Sequence, residues 1–150
     1  MNTMFRVTGF FAAVLMSGSL MAQNCELTID SNDQMRYDKD QLTVSSECSE
    51  VTLTLTHSGQ MSVEQMGHNW VLAESGDVQA IAQDGIGAGL ENDYVKPGDD
   101  RVIAATEQIG GGESTSITFS LEGLEAGGDY EFFCSFPGHV ALMRGDFIIE

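Results

Sequence analysis

A thiol, an imidazole and a thioether fall within ten residues near the end of the chain, in Cys134-Ser135-Phe136-Pro137-Gly138-His139-Val140-Ala141-Leu142-Met143. Soft thiolate and thioether ligands beside a borderline imidazole select copper, or less specifically zinc. A strand ending at Cys134 and a turn at Pro137-Gly138 would let Cys134, His139 and Met143 converge on one point from a single loop. A fourth ligand must come from elsewhere. His68, flanked by Gly67 and leading into Asn69-Trp70-Val71-Leu72, is the natural candidate because it also sits at a strand edge. Two histidines and one cysteine in a plane, with a weak axial methionine, describe a blue-copper electron-transfer centre.

The same residues admit blander readings. Cys134 as a hydrolase nucleophile, with His139 as base, has no evident third member or oxyanion loop and leaves Met143 unexplained. Taken alone, Met143 would be core filler, since methionine fits irregular gaps. Met35, Met61 and Met66 are ordinary apolar residues when read singly, and Trp70 is most simply a core aromatic. His57 continues the face of Val51, Leu53 and Leu55, and a lone inward histidine is more often a satisfied core residue than a ligand. Burial would still make its protonation sensitive, so a pH-responsive role beside the site is a hypothesis. Unchanged copper spectra and potential in His57→Gln across the titration range would remove it.

The elements that must position these ligands are strands. From Glu26 onward the pattern has period two: Leu27 and Ile29; Leu42 and Val44; Val51, Leu53 and Leu55; Trp70 and Leu72; Ile117, Phe119 and Leu121; Tyr130, Phe132 and Cys134; Phe147 and Ile149. Pro97-Gly98-Asp99-Asp100, Gly110-Gly111-Gly112 and Ala126-Gly127-Gly128 read as turns between them. Many short strands with turns imply an all-β sandwich or barrel. One stretch departs: Asp77 can cap a short helix in which Val78, Ile81 and Ala82 share a face, with Gly85, Gly87 and Gly89 fraying its far end. It reads as a helical flap inserted between strands.

Composition narrows the class further. The 150 residues carry 23 Asp+Glu against 6 Lys+Arg, a net charge of −17, which excludes nucleic acid and anionic membrane surfaces as partners. Arg6 and the apolar block Phe10 to Met16, followed by Ser17, Gly18 and Ser19, have the layout of a secretory signal peptide. Cleavage after Ala22 is expected, leaving residues 23–150 as one exported domain with no membrane span. Removal takes away Arg6 and no carboxylate, so −17 becomes −18. In an oxidising compartment Cys25 and Cys48 make a reasonable disulfide pair, which would leave Cys134 to be protected by metal, although any two of the three cysteines could pair.

Taken together, Met66-Gly67-His68-Asn69-Trp70-Val71-Leu72, Asp93-Tyr94-Val95-Lys96-Pro97, Arg101-Val102-Ile103-Ala104, and Phe132-Phe133-Cys134-Ser135-Phe136-Pro137-Gly138-His139 with Ala141-Leu142-Met143 resemble the azurin family of bacterial cupredoxins, in the family's order. The likeness runs from about Cys25 to Glu150. It implies a Greek-key β-sandwich with one short inserted helix, a Cys25–Cys48 disulfide and one type 1 copper ion. Carried over by position, it implies His68, Cys134 and His139 as equatorial ligands, with Met143 and the Gly67 backbone carbonyl as weak axial contacts. It further implies that Asn69 fixes the two ligand-bearing loops and that Phe136 stands beside the ligands. The implied function is a periplasmic one-electron carrier, not an enzyme, working as a monomer with redox proteins such as c-type cytochromes. Copper storage or delivery is the alternative; it would call for exposed, exchangeable ligands. His139, with Phe136, Pro137, Ala141 and Leu142 around it and Met35, Met61 and Met66 nearby, is the expected exit for the electron. Two features depart from the family pattern: Gln65, where an apolar residue would extend this patch, and the very acidic charge, which suits either a saline medium or steering toward a basic partner.

Overall fold

The alternating residues do form strands, and the strands form two sheets. In the computed structural model, which describes residues 24–150, one sheet has the order β2-β1-β4-β7. It comprises β1 (Glu26–Asn32), β2 (Arg36–Tyr37), β4 (Glu50–His57) and β7 (Ser114–Ser120). The other has the order β3-β9-β8-β5-β6, from β3 (Gln41–Val44), β5 (Val71–Glu74), β6 (Val102–Ala105), β8 (Tyr130–Phe133) and β9 (Arg144–Ile149). β1 lies parallel to β4 and β3 parallel to β9, while the other pairings are antiparallel. This is the expected β-sandwich. The expected leader, residues 1–22, and its cleavage point lie outside the described residues.

Between the sheets, Ile29, Val44, Val51, Leu53, Leu55, Leu72, Phe132 and Phe147 are buried around Trp70. The Trp70 ring lies 5.7 Å from Phe119 and 6.1 Å from both Phe132 and Phe147, a spacing at which aromatic pairs attract beyond their area burial. Cys25 and Cys48 form a disulfide that ties the start of β1 to the loop before β4, with Cα atoms 5.7 Å apart.

Two details depart from the pattern read in the sequence. β5 and β8 are buried on both faces: Val71, Ala73 and Phe133, which period two would turn outward, pack under Val78, Ile81 and Ala82 of α2 (Val78–Ala88). The inserted helix thus supplies a second, smaller core. Its glycines do not fray it, because the helix runs through Gly85 and Gly87 and ends at Gly89, where φ is 78°. Nor does the Asp77 side chain cap it: Asp77 ends a 3₁₀ turn, Ser75–Asp77, with a helical backbone, and makes no side-chain cap bond. A further one-turn helix, α1 (Val63–Met66), leads into Gly67 and His68.

Candidate metal centre

The ligand loop starts where β8 ends and is shaped by its own backbone. Gly138 takes the left-handed conformation at φ 84°, which glycine adopts without steric cost, and the turn closes with His139 N–H donating to the Phe136 carbonyl at 2.9 Å. Met143 N–H then donates to the His139 carbonyl at 2.8 Å, and Cys134 N–H to the Met143 carbonyl at 3.0 Å. The loop therefore returns to its origin before β9 begins, with Cys134, His139 and Met143 all buried.

His68 is delivered from the opposite side. Its backbone exchanges two hydrogen bonds with Ile109, at 3.0 and 2.9 Å. Its Nε2–H donates to the Asn32 carbonyl at 2.8 Å, which leaves Nδ1 as a lone-pair donor facing Cys134. Cys134 Sγ stands 3.8 Å from His68 Nδ1 and 3.6 Å from His139 Nδ1. The three ligand atoms lie within 4.8 Å of one another. Ligands bound at about 2.0 to 2.3 Å around one ion must themselves be roughly 3.5 to 4 Å apart, so the geometry fits a single metal.

Burial sets the protonation of this group. It pushes the Cys134 thiol up to about 12, only partly offset by hydrogen bonds from the backbone N–H groups of Asn69 and Phe136 to the sulfur. It holds His68 and His139 down at about 4; a charge on His68 acts in the same direction on His139. A thiol so raised is a poor nucleophile, which counts against the hydrolase reading. Two neutral imidazoles and a thiol that a metal can deprotonate form a good copper donor set.

The other residues read from the sequence surround this triad. The Gly67 carbonyl is 4.0 Å from Cys134 Sγ, and a side chain at Gly67 would meet the Val63 carbonyl at 2.5 Å and Gln108 Oε1 at 2.9 Å. Asn69 bridges the two loops: its Oδ1 accepts from Ser135 N–H at 2.9 Å, and its Nδ2 donates to Ser135 Oγ at 2.8 Å. Phe136 stacks on His139 with ring centroids 4.4 Å apart, so His139 is only 3% exposed. His57 is buried, as period two implies, but it also stacks on His68 at 4.6 Å and holds α1, with Nε2 bonded to the Met66 carbonyl at 2.9 Å. Its other nitrogen accepts from Gly59 N–H at 3.0 Å, so both ring nitrogens are engaged away from the ligand triad.

On the outside, Leu142 is 63% exposed and Met61 36%, whereas Met35 and Met66 are half-buried and Gln65 is exposed. Three further supports carry no signal in the sequence. Ser135 and Asp93 brace Asn69 by hydrogen bonds, and the Tyr37 hydroxyl donates to the Asn69 carbonyl. These contacts span 24 to 66 residues, and no local spacing marks them.

Comparison with known proteins agrees with this geometry. Residues 23–150 match the family model described as copper binding proteins, plastocyanin/azurin family. The azurin of Bordetella pertussis is 51% identical over 129 residues, 86% of each chain. That of Pseudomonas aeruginosa is 45% identical over 136 residues, 91% of this chain and 92% of its own. Among solved structures, the azurin Az-iso2 from Methylomonas sp. strain J superposes with a TM-score of 0.81 at 47% identity, covering 84% of this chain and 98% of its own.

Proposed function

Since the chain belongs to the plastocyanin/azurin family of copper-binding proteins, with His68, Cys134 and His139 as its type 1 copper site, we propose that it is an exported one-electron carrier. Bound copper supplies the Cu(I)/Cu(II) couple. The protein's part is to hold one ligand geometry for both states and to keep water away. Met143 and the Gly67 carbonyl would hold the ion more weakly, Asn69 locks the ligand loops together, and the Phe136 ring shields His139.

The observation that carries this reading is that the three buried ligand atoms already stand within 4.8 Å of one another. Their orientation comes from backbone and side-chain hydrogen bonds of the protein itself. A storage or delivery protein needs ligands that exchange readily, and complete burial of His68 and Cys134 counts against that. Zinc accepts the same ligands and can fill the site in recombinant material.

The electron leaves by the edge of His139, across an apolar contact that includes Leu142. A small contact of this kind suits a transient redox partner such as a c-type cytochrome, which must dissociate quickly. The protein acts as a periplasmic monomer after loss of residues 1–22, and catalyses no reaction of its own. Adding Cu(II) to the purified domain tests the copper assignment. An intense blue colour that reductant bleaches reversibly is expected; a colourless protein that yields its copper to a chelator within seconds would sink the reading.

A further inference from the structure

The segment that follows the inserted helix reaches the metal centre through one backbone carbonyl. The Asp93 carbonyl accepts from Asn69 Nδ2 at 3.0 Å, Ser135 Oγ at 3.2 Å and Gln108 Nε2 at 3.3 Å. These donors come from three separate stretches: the His68 loop, the Cys134 loop, and the segment whose Ile109 pairs with His68. The Asp93 carboxylate adds a fourth tie, accepting from Gln108 N–H at 2.7 Å.

Presenting the carbonyl this way requires an unusual backbone. Asp93 and Tyr94 are both left-handed, with φ of 55° and 53°, a conformation that costs an ordinary residue about 1 to 2 kcal/mol. It persists only where the surroundings fix it. Here Asp93 N–H donates to the Leu90 carbonyl at 2.9 Å and Tyr94 N–H to the Gly89 carbonyl at 3.0 Å. The Tyr94 ring meets Phe136 edge-on at 5.2 Å. Gly85 of α2 leaves room for the Tyr94 carbonyl, which a β-carbon there would approach to 2.0 Å.

We propose that Asp93 is a positioning residue for the copper: by drawing Asn69 and Ser135 to one carbonyl, it sets the Asn69 and Phe136 N–H groups on the Cys134 sulfur and so tunes the reduction potential. The inference rests on the copper-carrier reading. N–H donors withdraw charge from a thiolate, which weakens its donation to the metal and favours the reduced state. Loosening them lowers the potential and moves the thiolate-to-copper absorption to longer wavelength.

Three variants test it. Asp93→Ala removes the carboxylate acceptor and leaves a residue poorly suited to the left-handed conformation, whereas Asp93→Asn keeps an acceptor and tolerates it. Ser135→Ala deletes one hydroxyl and keeps the test available should Asp93→Ala not fold. The expected result is a lower potential and a red-shifted band in Asp93→Ala and in Ser135→Ala. Both should be restored in Asp93→Asn, and the double alanine variant should fall short of the sum of the two.

In the metal-free Ser135→Ala and Asp93→Ala proteins, hydrogen exchange at the residue 135 amide should speed up roughly tenfold relative to Leu53 and Leu55 in β4, as expected for a local opening. Unchanged potential and band, or equal acceleration throughout β4, would overturn the proposal. Failure of the unaltered protein to turn blue with Cu(II) would instead overturn the copper reading, and the metal-free exchange data would still judge the clasp.

Discussion

At the residue scale the copper site is a proton balance. Cys134, pushed up to about 12, must lose its proton to bind a metal, while His68 and His139, held at about 4, are already neutral at pH 7. Metal binding at pH 7 should therefore release about one proton, measured by calorimetry in buffers of different ionisation enthalpy; release of two or three would mean that the histidines are charged. The same values give the pH dependence of the metal-free fold. An unfolded histidine titrates near 6.5 and these folded ones near 4, so between those limits the unfolded chain binds more protons. The histidines' contribution to stability should be fully present above pH 6.5 and fall as pH drops toward 4, seen as a falling urea midpoint. The ligands themselves were legible in the sequence because soft donors at short spacing have a distinctive chemistry. Asp93 was not, because its backbone carbonyl is one that every residue has, reached by donors at Asn69, Gln108 and Ser135, and its carboxylate's partner, Gln108 N–H, lies 15 residues away.

At the element scale, strands were readable wherever one face is buried and the other wet, as in β4, where Val51, Leu53, Leu55 and His57 alternate with half-buried threonines. β5 defeats that logic, because α2 covers its second face, and only the tertiary structure says where the helix lands. Two glycines of α2 check this packing in opposite directions. Gly87 has no atom within 4 Å of an added β-carbon, so Gly87→Ala should stabilise by about 0.5 to 1 kcal/mol in urea melts through helix propensity. Gly85→Ala should destabilise despite the same propensity gain, since its β-carbon collides with the Tyr94 backbone. The Cys25–Cys48 disulfide closes a loop of sequence separation 23 at the start of β1, the opposite end from Asn32, which holds His68. Replacing both cysteines with alanine should cost about 2 to 5 kcal/mol and leave the blue absorption band unchanged; a lost or altered band would mean that the bridge also shapes the copper site.

At the scale of the whole molecule, the net charge of −17 is only lightly balanced by ion pairs among the described residues. Arg101 pairs with Asp84 and Asp99, Lys39 with Asp38, and Arg144 with Glu131. The remaining carboxylates repel one another, and salt screens them: the Debye length shrinks from about 30 Å at 0.01 M to about 3 Å at 1 M. The melting temperature should rise with added salt over that range. Electron transfer to a basic cytochrome should slow with salt if the acidity steers the encounter, and a flat stopped-flow response would leave solubility as its role. None of this charge enters the ligand loop, since Cys134 to Met143 contains no Asp, Glu, Lys or Arg. The most direct test of the carrier itself is voltammetry of the copper-loaded protein, followed by mixing the reduced form with oxidised cytochrome. A reversible one-electron wave is expected, with transfer of one electron per protein and the copper retained. An irreversible wave, or loss of the metal on reduction, would contradict the carrier reading.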